Sequence, residues 1–223
     1  MRTALGIGAS RGIGREFVRQ LTQDGWKVYA TARDAAALDA LRAAGVEALK
    51  LDVVKPESLA GLGWHLDGVK LDLTLYVAGV LGPNRGATEA PTAAEFDTVM
   101  HTNVLGAMQT IPLVAPLVEA AAGKFVFISS GLASIAEATS SGGLWAYRVS
   151  KAALNMAVKS AAFDFPKATF IAMSPGWVQT DMGGSNAEIP VEQSVTDMRR
   201  TLTKCNRQDS GSFFNHTGEN IPW

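Results

Sequence analysis

The stretch Ile7-Gly8-Ala9-Ser10-Arg11-Gly12-Ile13-Gly14 sets the strongest constraint on this chain. Directly before its glycines runs an apolar segment, Thr3 to Ile7. Directly after them, Ile13, Phe17, Val18 and Leu21 recur at helical spacing, and Asp24-Gly25 supplies a stop. Strand, glycine loop and helix in that order lift a glycine pattern above chance. Glycine tolerates positive φ and close backbone approach, and a helix N-terminus offers unpaired N–H groups to a pyrophosphate. The segment is expected to bind a nucleotide through Gly8, Ser10, Arg11, Gly12, Ile13 and Gly14.

Further apolar runs follow at Lys27 to Thr31, Glu47 to Leu51, Leu71 to Val77, Lys124 to Ile128 and Thr169 to Met173, with helix-length segments between them. Runs without polar alternation, joined by crossovers of that length, predict a parallel sheet covered on both faces. The fold class is therefore α/β, a single doubly wound Rossmann-type sheet with helices on both faces. At 223 residues and 47% hydrophobic content the chain can bury one sizeable core, so one domain over 1–223 is expected. Residues 183–223 turn polar and rich in Gly and Asn, with one weak helical pattern at Val191 to Leu202. They read as a short substrate-covering segment and C-terminal closure.

Other function classes lose ground on charge and residue usage. A net charge of −1, with the 20 Lys and Arg scattered, gives no field for nucleic acid or a membrane surface. Cys205 has no partner for an intrachain disulfide, and His65, His101 and His216 lack metal-ligand spacing. The apolar stretch Ile111 to Ala122 is broken by Pro112, Pro116 and Glu119. The glycine loop begins too early to leave room for a signal segment, so a reducing, cytoplasmic setting is expected.

The three residues between Gly8 and Gly12 make the loop resemble that of the short-chain dehydrogenase/reductase family, whose pattern is TGxxxGxG. Ile7 stands where the family has Thr. Tyr76-Val77-Ala78-Gly79 stands where it has Asn-Asn-Ala-Gly, so Ala78 and Gly79 would line the cofactor. The resemblance implies that the missing Thr and Asn would have bonded across neighbouring strands; losing both leaves no orphaned partner. For cofactor choice, an acid ending the second strand selects a ribose hydroxyl and a base accommodates a 2′-phosphate. Here Ala32 precedes Arg33, and Arg11 lies in the glycine loop, which favours NADP(H); the alternative is that Asp34 is the selector. Asp52 and Val53 match the family's adenine-binding position, with a turn aspartate as the plain alternative.

Tyr147-Arg-Val-Ser-Lys151 opens a predicted helix, and a four-residue offset puts phenol and ammonium on one face. A cation beside the phenol would favour its ionised form and bring its pKa down toward neutrality. The family places its catalytic pair here. By the same resemblance Ser130, at the end of the Lys124 to Ile128 strand, would bond the substrate carbonyl; Ser134 is the rival on spacing. Asn103 matches a helix-borne Asn that holds a water for a proton relay. Pro175-Gly176-Trp177-Val178-Gln179-Thr180 is similar to the family's PGxVxT, in which Pro175, Gly176, Val178 and Thr180 would hold the nicotinamide amide and phosphates. The ending Gly211 to Trp223 resembles the compact C-factor-like and carbonyl-reductase-like members. Small residues on the helix after Tyr147 (Ala152, Ala153, Ala157, Ser160, Ala161) fit either core packing or a homodimer or homotetramer contact. The resulting expectation is an NADP-dependent oxidoreductase acting on a small carbonyl or alcohol. Its rivals are a nucleotide-binding signalling or regulatory protein with little catalysis, and an epimerase or dehydratase on the same fold.

Overall fold

A computed structural model describes residues 1–140 and 142–223. Seven parallel strands form one sheet in the order β3-β2-β1-β4-β5-β6-β7, where β1 is Thr3–Ile7, β2 Lys27–Ala32, β3 Glu47–Lys50, β4 Leu73–Tyr76, β5 Lys124–Ile128, β6 Thr169–Ser174 and β7 Ser212–Asn215. The helices are α1 (Gly12–Gln23), α2 (Ala35–Ala43), α3 (Pro56–His65), α4 (Ala93–Met100), α5 (Gly106–Glu119), α6 (Trp145–Asp164) and α7 (Val191–Lys204). Central strands read as continuous buried runs because both faces are covered: Phe125, Phe127 and Phe170 fill one core with Leu154 and Val158 of α6, while Val126, Ile171 and Met173 face Val195, Met198 and Leu202 of α7. No helix among the described residues is long and apolar enough to cross a membrane.

This arrangement matches the expected doubly wound fold. The order reverses between β1 and β4, opening a crevice at their carboxyl ends where ligands of such sheets bind. The sequence reading missed β7, whose core contribution is only Phe213 and Phe214. It pairs with β6 from Ile171↔Ser212 to Ser174↔Asn215, so residues 183–223 complete the sheet edge as well as cover it. Asn103 also differs from a plain mid-helix residue: it sits in a π turn, His101–Leu105, between α4 and α5.

Helix α7 is fastened to α1 through Glu16. Its carboxylate accepts from Arg19 at 2.6 and 2.8 Å and from Gln20 at 2.7 Å; Gln20 then donates to Glu192 O and Thr196 Oγ1 and accepts from Arg199 at 3.0 Å. The Arg19 hydrogen bonds hold the Glu16 pKa below the ordinary value, so this contribution is present at neutral pH and lost as pH falls. Glu16→Ala should cost about 1–3 kcal/mol at neutral pH. Urea unfolding below the 4.5 of an unperturbed glutamate should show the gap to wild type narrowing.

Candidate active site

A cleft of about 220 Å³ opens at the carboxyl ends of β1, β2, β4 and β5, lined on one side by Gly8 and Ser10 to Ile13. Gly8 has φ +85°, and a Cβ there would meet Ala78 N at 2.7 Å. Both facts exclude any other residue. At Gly14 a Cβ would sit 2.4 Å from Gly8 O, which explains a glycine that lies behind the cleft wall. Ile7 is fully buried in the core, and its carbonyl accepts from Val77 N at 2.8 Å and Ala78 N at 3.1 Å. The two loops are thus joined by backbone where Ile7 and Val77 replace the polar pair. Arg11 stands at the N-cap of α1 without a side-chain cap bond, and the first turn holds no acid, leaving its N–H groups to the cleft.

Arg33, exposed, and Ala32 line the cleft next to β2, with Asp52 and Val53 opposite. Asp34 is turned to another task, capping α2 by accepting from Ala37 N at 2.8 Å. Arg11 lies 3.3 Å from Asp181, an exposed pair. The Asp52 side chain accepts from Val54 N at 3.3 Å in a turn, and the residue lines the cleft.

Tyr147 and Lys151 stand at the other end, 7% and 4% exposed, one turn apart on α6. Leu144, with φ +52°, turns the chain into that helix. Lys151 Nζ donates to Ile128 O at 2.7 Å and lies 5.7 Å from the Tyr147 ring centroid. Ser130 is the N-cap of a 3-10 turn, Gly131–Ala133, and its hydroxyl faces the phenol. Ser134 points elsewhere: 2% exposed, it donates to Pro222 O at 2.5 Å. Asn103, fully buried, stands behind Gly79; it accepts from Val80 N at 2.8 Å and donates at 2.9 Å to Val80 O and to Ser150 Oγ. Ser150 in turn donates to Tyr147 O at 2.7 Å.

The segment after β6 closes the cleft through Pro175 and Thr180, and a Cβ on Gly12 would approach Thr180 Cγ2 to 3.3 Å. Gly176 and Val178 do not line it. Gly176, φ +80°, packs toward Ile189 and His216, and Val178 pairs with Ile189. Among the cleft residues that sequence reasoning did not assign to the site are Thr31, which accepts from Gly8 N at 3.1 Å; Ser129, which donates to Asn155 at 2.6 Å; and Met182. Of these three, Thr31 left a signal, as a polar residue inside the apolar run that follows Lys27.

The family model for short chain dehydrogenases matches residues 2–189. The chain is a short-chain dehydrogenase. Within that family it is of the C-factor and carbonyl-reductase type. It is 41% identical to the C-signal protein of Myxococcus xanthus over 133 residues, covering 58% of this chain and 80% of that one. Among solved structures it resembles a short-chain dehydrogenase/reductase from Burkholderia multivorans with bound NADP, at TM-score 0.89 and 30% identity, covering 100% of this chain and 99% of that one. It equally resembles the carbonyl reductase Sniffer of D. melanogaster, at TM-score 0.89 and 28% identity over 100% of both chains.

In this short-chain dehydrogenase the proton-active groups depart from the expected electrostatics. Burial pushes the Tyr147 phenol up to about 12, with the Ser130 hydroxyl pulling the other way, and pushes Lys151 down to about 8. The expected lowering of the phenol by Lys151 is therefore not met by the chain alone, because both groups lose water together. Because the folded pKa of Lys151 lies below 10.5, the unfolded chain binds more protons between about 8 and 10.5, and stability rises with pH across that window. Replacing Lys151 with Met should remove this rise, worth at most about 3 kcal/mol. Paired denaturant titrations of wild type and variant from neutral to alkaline pH measure it.

Proposed function

We propose that this short-chain dehydrogenase transfers a hydride reversibly between NADP(H) and a small carbonyl or alcohol, with Tyr147 as general acid/base. The observation that carries the reading is the buried Tyr147 and Lys151 at the inner end of a cleft whose outer end is a glycine loop and an uncapped helix. The cradle fits a dinucleotide: side chains at Gly8 or Gly79 would intrude on their neighbours, and the open α1 terminus suits a pyrophosphate. Ser10 to Ile13 would hold the phosphates, Asp52 and Val53 the adenine, Ala78 and Gly79 the central ribose region, and Pro175 and Thr180 the nicotinamide side. Arg33 would take the 2′-phosphate, a choice supported by Asp34 being committed to capping α2. Bound there, NADPH supplies the hydride for the carbonyl carbon.

The chain's own work is proton management and positioning. The Tyr147 phenol gives its proton to the carbonyl oxygen as the alcohol forms, and recovers it in the reverse direction. Ser130, facing that phenol, orients the same oxygen. Lys151, held by Ile128 O, fixes the cationic side of the site and reaches the ribose. Asn103 supports the relay by tying Val80 to α6 through Ser150, which keeps Tyr147 registered against the cleft. Residues 183–223 cover the substrate end. Exposed Val149, Met156 and Phe163 on α6, with Leu105, Met108 and Leu113 before and along α5, support self-association of the chain.

Tyr147→Phe should lower kcat for carbonyl reduction at least about a hundredfold while NADPH still binds, as followed by nucleotide fluorescence. Undiminished turnover would remove Tyr147 from its role. Arg33→Ala should weaken NADPH binding about 10- to 100-fold and leave NADH binding nearly unchanged, since the removed bond is charge-assisted and reaches only the 2′-phosphate. Equal losses for both nucleotides would reassign the residue.

A further inference from the structure

The last residues of the chain cross the carboxyl edge of the sheet. After β7, Phe214 bridges Asn220 and Ile221 N donates to Phe213 O at 2.8 Å, so the chain doubles back along β7. The Trp223 ring then stacks on buried Phe213 at a centroid distance of 5.6 Å and 18° between planes. That stack places the Pro222 and Trp223 carbonyls against the segment that follows Ser130. Ser134 Oγ donates to Pro222 O at 2.5 Å, and Ile135 N and Ala136 N donate to Trp223 O at 3.2 and 3.0 Å. Three hydrogen bonds thus fasten the far end of the 3-10 turn whose first residue, Ser130, faces Tyr147. The near end is fastened by Gly131 N donating to Ser174 Oγ at 3.0 Å.

We infer that Pro222–Trp223 is a positioning strap for the Ser130 turn, and that Ser134 and Trp223 are positioning residues for carbonyl reduction. The inference rests on the proposed role of Ser130. The strap and the contact to Ser174 bracket a turn that also packs Ala133 into the core against α6, and the strap holds the side of that turn away from β5, so its geometry bears on where the Ser130 hydroxyl stands. Ser134 is buried and its hydroxyl is fully used: it donates to Pro222 O and accepts from Glu137 N at 3.2 Å. It therefore acts through the strap and not on substrate. Trp223 is half exposed, which leaves the indole available for replacement without opening the core.

The test compares wild type with Ser134→Ala, Trp223→Ala and Trp223→Phe, reading kcat per nucleotide-binding site against a carbonyl panel, NADPH affinity, and amide exchange. Ser134→Ala and Trp223→Ala are expected to lower kcat about 10- to 100-fold, as misplacement of a carbonyl-orienting group does, with NADPH affinity unchanged. Amide exchange at Ile135 and Ala136 should quicken in both, and stay at the wild-type rate around Gly8 to Gly14. Trp223→Phe keeps a stacking ring and should retain most of the activity. Wild-type kcat in folded Ser134→Ala and Trp223→Ala would overturn the strap, as would a kcat loss matched by an equal loss of nucleotide affinity. If Trp223→Ala does not fold, Ser134→Ala decides, since it removes one hydrogen bond and no ring. Absence of turnover in the wild-type protein would overturn the oxidoreductase reading, and the strap's catalytic role with it.

Discussion

The Ile7 carbonyl, accepting from Val77 N and Ala78 N, is the join on which the cleft depends. It lies where the strand order reverses, so β1 and β4 send their following loops to opposite sides and leave a crevice between. Two backbone donors on one carbonyl fix the spacing of those loops, and Gly8 permits the resulting approach to Ala78. With the junction made of backbone, the side chains at 7 and 77 are free to be apolar. Ile7 joins the core beneath and Val77 packs against the other face. An isolated loss of either polar partner would have left a buried group unpaired; the double replacement leaves none there.

Burial is the second constraint, and it acts on Tyr147 and Lys151 in opposite directions. Desolvation disfavours the charged form of each group, raising a phenol and lowering an amine. Tyr147 and Lys151 both obey it, to about 12 and about 8. The chain therefore holds the phenol firmly protonated, the form needed to donate to a carbonyl oxygen. Burial widens the gap between the two groups relative to their unperturbed values of 10.0 and 10.5, so passing the phenol proton to Lys151 is disfavoured in the chain alone.

What the sequence made legible follows from where periodicity and backbone demands reside. Six strands and helices α1 and α6 were readable because continuous apolar runs and helical spacing are required by a sheet covered on both faces. The glycine loop was readable because positive φ and a 2.7 Å approach admit one residue type. Strand β7 was not, since an edge strand with Phe213 and Phe214 as its buried pair has the composition of any short apolar turn. Spacing pointed to Ser134 and the strand end to Ser130; what distinguishes them is a bond from Ser134 to Pro222, 88 positions away. The sign of the phenol shift was also out of reach, because a motif shows that a cation is near but not how much water both groups lose.

The two ends of the cleft are accordingly built by different means. The nucleotide end is backbone: carbonyl and amide groups of β1, β4 and the α1 terminus, with glycines where side chains would collide. Gly8 and Gly14 in particular leave no room for a side chain. The carbonyl end is held by side-chain and tail contacts over long separations: Asn103 to Ser150, Ser174 to Gly131, Ser134 to Pro222, Trp223 to Phe213. On the proposed function, a fold divided in this way would keep one hydride donor and one proton donor fixed while the enclosure around the substrate changes, so the chemistry is far more legible than the molecule it acts on.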